Sequence, residues 1–83
     1  MSDINETLAQ RGKDYGDFTT HAEITQKLKA VIDEYDVRLS PVHREAIDMI
    51  LHKIGRICNG NPNFVDSWHD IAGYAKLVED RIK

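Results

Sequence analysis

Three long segments with helical hydrophobic spacing, a shorter one before them, and no alternating strand pattern predict an all-α fold: a small bundle of three main helices plus a short N-terminal helix. The length of 83 residues adds a condition, because a chain this small is only marginally able to build its own core. Residues 1–83 are therefore expected to form one all-α domain completed by oligomerisation.

The elements follow in order. Asp3 to about Gln10 reads as a short helix, with Ile4 and Leu8 on one face and Asp3 and Glu6 as a capping pair, stopping at Arg11-Gly12. Lys13 to Thr20 carries Gly16 and no hydrophobic period, and reads as an ordered loop whose Tyr15 and Phe18 either staple it to the bundle or stack on a base. Thr20 and Glu23 form a capping box for a helix over residues 20–35, with Ile24, Leu28, Val31, Ile32 and Tyr35 on one face. Ser40 as N-cap and Pro41 at the first helical position open the third helix. Its apolar face holds Ala46, Ile47, Ile50, Leu51, Ile54, Ile57 and Cys58, and Asn59-Gly60 is expected as a left-handed cap, with Pro62 preventing continuation. Asn63 then caps a last helix that buries Trp68, Ile71, Ala72, Ala75, Val78 and Ile82. The short connection makes the last two helices antiparallel neighbours.

Composition excludes several classes. With 41% hydrophobic and 30% charged residues the chain is neither disordered nor a membrane protein, and its acidic start is unlike a signal peptide, so a cytoplasmic location and no membrane partner are expected. A net charge of −3, with 11 Lys and Arg that do not cluster, argues against binding a nucleic-acid polymer. Cys58 alone forms no internal disulfide and reads as a core residue.

A polar stripe carries the functional expectation. Glu45, Asp48, Met49, His52 and Arg56 share one sector of the third helix, and Asp66 and Asp70 stand one turn apart on the fourth, with Gly73 leaving room for close approach. Spacing alone leaves two readings open. One is a salt-bridged hairpin in which Arg56 pairs with Asp70 or Asp66. In the other, Glu45, Asp48, Asp66 and Asp70 hold Mg²⁺ and orient a water, as oxygen ligands suit a hard cation, while Lys53 and Arg56 contact the phosphates of a bound polyphosphate. His52 and His69 are further candidate ligands, His21 and His43 read as solvated, and Met49, Tyr74 and Leu77 mark a strip where a second subunit would dock.

Three motifs add a resemblance. Arg11-Gly12-Lys13-Asp14-Tyr15-Gly16-Asp17-Phe18, His52-Lys53-Ile54-Gly55-Arg56-Ile57-Cys58-Asn59-Gly60 and Asp66-Ser67-Trp68-His69-Asp70-Ile71-Ala72-Gly73-Tyr74-Ala75 resemble a family of small phage and prophage proteins of unknown function. That family is similar, more distantly, to MazG-like all-α nucleoside triphosphate pyrophosphohydrolases and to a phage nucleotide-modification-associated domain. The resemblance implies Mg²⁺ held by acidic pairs on two helices of a dimer or tetramer, with Glu45-x-x-Asp48 standing for one pair and Asp66 with Asp70 for the other. Asp48 is shorter than the glutamate of that pattern, and the second pair is spaced by four rather than three. The implied activity is metal-dependent pyrophosphohydrolysis of a (deoxy)nucleoside triphosphate, with catalytic Glu45, Asp48, Asp66 and Asp70 and substrate contacts from Tyr15, His52, Lys53 and Arg56. The alternative is a phage accessory protein that binds a nucleotide signal or a host protein without turnover.

Overall fold

The computed structural model describes residues 3–82, and they form an all-α bundle of four helices: α1 (Ile4–Tyr15), α2 (Phe18–Tyr35), α3 (Pro41–Asn59) and α4 (Val65–Arg81). α3 is the central element, packed against each of the other three. No helix among the described residues is long and apolar enough to cross a membrane.

Three boundaries differ from those expected. α1 does not stop at Arg11-Gly12 but runs through Gly12 to Tyr15, since a helical glycine costs only about 1 kcal/mol relative to alanine. The stop comes at Gly16, whose φ of 82° suits a residue without Cβ and whose N–H donates back to the Gly12 carbonyl. α2 begins at Phe18, one turn ahead of the expected capping box, because Asp17 accepts from both the backbone N–H and the hydroxyl of Thr20 at 2.9 and 2.8 Å. α4 begins after Phe64, which offers no side-chain cap, and Asn63 instead spends its N–H on the Asn61 side chain.

The start of α3 is as the sequence indicates: Ser40 caps Pro41–Asn59, and His43 closes the box by accepting from the Ser40 N–H. His43 is therefore a capping residue rather than merely solvated. At the other end Gly60 has φ −115°, so the expected left-handed cap is absent, although its N–H still reaches the Arg56 carbonyl.

α4 is rotated from the expected phase. Ser67 is buried against the bundle, with Ile71, Tyr74 and Val78 half-buried on the same side, whereas Trp68 is 54% exposed and Ala72, Ala75 and Ile82 are exposed too. The small Ser67 lets the helices approach, and the Trp68 indole instead donates to the Pro62 carbonyl at 2.8 Å. Cys58 is likewise exposed, not core. Gly73 faces open space, so no close approach requires it. The fully apolar interior is correspondingly thin: Ala46 and Leu51 are the buried hydrophobic residues among those described.

Candidate functional site

The α1–α2 corner lies against the C-terminal half of α3, and Asn59 fastens it there. The Asn59 amide donates to the Asp17 carbonyl at 2.7 Å and to the Tyr15 carbonyl at 3.4 Å. Gly16 permits that contact, since a Cβ there would collide with the Asn59 backbone. The corner so placed sets the Tyr15 ring beneath Arg56, whose guanidinium carbon lies 4.0 Å from the ring centroid, while Phe64 meets the same ring edge-on at 5.5 Å.

Beside this stack, two histidines meet. Nε2 of His21 lies 3.2 Å from Nδ1 of His52. Nδ1 of His21 is buried, and of the two facing nitrogens one donates while the other accepts. Both rings resist protonation: burial, followed by the Arg56 charge, lowers the pKa of each, and His52 falls to about 4. At neutral pH the pair is uncharged. Gly55 makes it possible, because a Cβ at that position would stand 3.0 Å from the His21 ring and 2.8 Å from the Thr25 methyl.

These groups border a cleft of about 570 Å³, lined by Leu8, Arg11, Gly12, Tyr15, Gly16, Asp17, Phe18, His21, His52 and Arg56. That volume is within the range of small-ligand sites. Two guanidinium groups face it against one carboxylate, that of Asp17, whose pKa is held low by its hydrogen bonds to Thr20. In a chain of net charge −3 this is a locally positive, aromatic-lined concavity, suited to an anion attached to a flat ring.

The structure brings together three of the four expected substrate contacts, Tyr15, His52 and Arg56. Lys53 is directed elsewhere, bonding Asp70 at 2.8 Å and holding that carboxyl below its usual pKa. The anticipated Arg56–Asp70 pair is thereby replaced, which leaves Arg56 to the Tyr15 ring. Asp48 is bound by Arg44 at 2.8 Å, and the same guanidinium takes Asp36 at 2.9 Å and Asp33 at 2.6 Å. Glu45 is exposed beside Tyr74 and Val78, and Asp66 is exposed in the first turn of α4. The antiparallel register explains the separation. With Lys53 opposite Asp70, Glu45 stands eight residues along α3 from that level, about 12 Å at the helical rise. Among the described residues no group of three or more His, Cys, Asp or Glu side chains is placed to hold one metal ion. Within one chain the four carboxylates are thus held apart from one another.

Arg11, His21 and Asn59 are the residues that sequence reasoning passed over. His21 was detectable: His21, Thr25, Leu28 and Ile32 keep the spacing of one helical face, which puts the imidazole on the packed side. Arg11 and Asn59 gave no such signal, because they matter only through the α1–α2 corner.

Residues 1–82 match the model of a family described as a domain of unknown function, DUF6378. No curated protein and no solved structure matches the chain.

Proposed function

We propose that this chain, which belongs to the DUF6378 family, binds a (deoxy)nucleotide in the cleft between the α1–α2 corner and α3. The observation that carries the reading is Arg56 held over the Tyr15 ring inside a concavity that also presents Arg11 and the uncharged His52. The two guanidinium groups supply bidentate donors for phosphate oxygens, and His52 adds an uncharged imidazole. Phe18, 79% exposed at the rim, offers a planar surface for a base. The resemblance to MazG-like enzymes and to a phage nucleotide-modification domain supports the same ligand class, and with it a role as a phage or prophage accessory protein.

Pyrophosphohydrolysis is the more demanding form of this reading, because it needs Glu45, Asp48, Asp66 and Asp70 to gather around Mg²⁺. The ion pairs of Asp48 with Arg44 and of Asp70 with Lys53 favour binding without turnover. Mg²⁺ then enters as the counter-ion of a bound polyphosphate.

The test is a thermal-shift and calorimetric screen of nucleoside mono-, di- and triphosphates, with and without Mg²⁺, alongside a pyrophosphate-release assay. A nucleotide at a hundred times its Kd is expected to stabilise the chain by about 2.7 kcal/mol, and Arg56→Gln to abolish the shift. Absence of any shift across the series refutes the reading. Pyrophosphate release would move it to the hydrolytic form.

A further inference from the structure

α3 is packed by α2, α4 and the α1–α2 corner, and among the described residues one side of it is left without a covering helix. Lys53 turns toward α4 to meet Asp70, whereas Gly55 admits His21 and Thr25 of α2, so α2 and α4 flank α3 on opposite sides. At about 100° per residue, Arg56 and His52 then point to one face of α3, the face that carries the cleft. Ile50 and Ile54 point to the other, and both are only half-buried. About a quarter-turn from the α3-facing side of each flanking helix, the same face receives Val31 and Tyr35 of α2, 55% and 75% exposed, and Trp68 and Ala72 of α4, the tryptophan 54% exposed. One continuous apolar surface thus crosses three helices.

Size argues for what covers it. The chain exposes 6178 Å², where a folded monomer of 9.5 kDa exposes about 5,000 Å². Its radius of gyration is 14.5 Å, against about 12 Å for a compact domain of this length. The excess surface, roughly 1,100 Å², exceeds the roughly 800 Å² that each partner buries in a standard interface. Helical domains bury their apolar stripes against a packed neighbour, and on this side of α3 the described residues supply none.

The geometry points to a second copy of this chain, packed on the first through the Val31–Ile50–Ile54–Trp68 face. This is the opposite side from the cleft, and distinct from the Met49, Tyr74 and Leu77 strip that spacing had marked. Each copy keeps a cleft built wholly from its own residues, on the two outer faces of the dimer.

Light scattering and tryptophan emission, read across one dilution series, test the assignment, since Trp68 is the single tryptophan. The expected result is twice the 9.5 kDa chain mass, or an even multiple of it, at high micromolar concentration, with blue-shifted emission that moves to the red as the mass falls. Ala72→Arg, at an exposed site, is expected to give the monomer mass with its helical circular dichroism retained. Should Ala72→Arg lose helicity, Tyr35→Glu takes its place, with the same expectation. A parent chain that stays monomeric at high micromolar concentration overturns the proposal, and a shift seen only with lipid vesicles or another protein would then name the other occupant. A dimer whose Trp68 emission stays at the solvent-exposed wavelength, or one that persists in a folded variant, overturns it as well.

Discussion

Substituting Gly55 by alanine sets two effects of opposite sign against each other, and the packing of α2 on α3 decides which wins. In an exposed helix, glycine to alanine is favourable by up to about 1 kcal/mol, chiefly through the entropy of the unfolded chain. At Gly55 the added methyl would lie 2.8 Å from the Thr25 methyl and 3.0 Å from two atoms of the His21 ring. Neither neighbour is free to yield. Thr25 is β-branched, buried and hydrogen-bonded to the His21 carbonyl, and His21 is buried and paired with His52. Overpacking of this kind costs about 1–3 kcal/mol, so Gly55→Ala is expected to lower stability by about that much, a fall in Tm on the order of 5–20 °C for a chain of this size. Gly73 lies in α4 with nothing within 4 Å of its would-be Cβ, and Gly73→Ala is expected to gain about 0.5–1 kcal/mol. Urea and thermal melts followed by circular dichroism, at one fixed protein concentration, compare the two. If both variants are equally stabilised, α2 does not approach α3 at Gly55, and the histidine pair is misplaced with it.

Two further outcomes follow from the cleft. His52 titrates near 4 when folded and near its ordinary 6.5 when unfolded, so above pH 6.5 its contribution to stability is complete. Between 6.5 and 4 the unfolded chain takes up a proton that the folded chain refuses, and stability falls by about 1–2 kcal/mol after allowance for the partial exposure of the ring. An NMR titration of the His52 ring protons with a midpoint near 6.5 would refute this. Asn59→Ala removes the amide that holds the corner, at a cost of about 1 kcal/mol, and is expected to speed hydrogen exchange in residues 4–15 while leaving the α3–α4 hairpin unchanged. Uniform exchange across all four helices would show that Asn59 does not anchor the corner.

The carboxylate stripe shows why a pattern of residue types under-determines a site. Glu45, Asp48, Asp66 and Asp70 do lie on the helices expected of them, yet each spacing is local to one helix. Whether two pairs meet depends on the register between helices, and the Lys53–Asp70 contact sets that register so that Glu45 falls far from Asp70. Arg44, unremarkable in sequence, draws three aspartates including Asp48 because the α2–α3 turn brings Asp33 and Asp36 beside it.

Local order was legible where it depends on neighbours in the chain. The all-α class, the Ser40-Pro41 start and the stop near Gly60 all come from hydrogen bonds and dihedrals that span four residues or fewer. The apolar face of α3 was found except for the exposed Cys58, and that of α2 in part, whereas α4 turned a different side to the bundle. The use of these faces was not legible, because a hydrophobic stripe states that something must cover it without stating what. Trp68 shares its helix with Ser67, and only the tertiary fit of α4 on α3 decided that the serine is buried and the tryptophan exposed. The cleft is tertiary in the same sense, joining Arg11 and Tyr15 on α1, His21 on α2, and His52 and Arg56 on α3, residues up to 45 positions apart in sequence. Periodicity reports one helix at a time, whereas burial and ligand sites depend on the distances between helices.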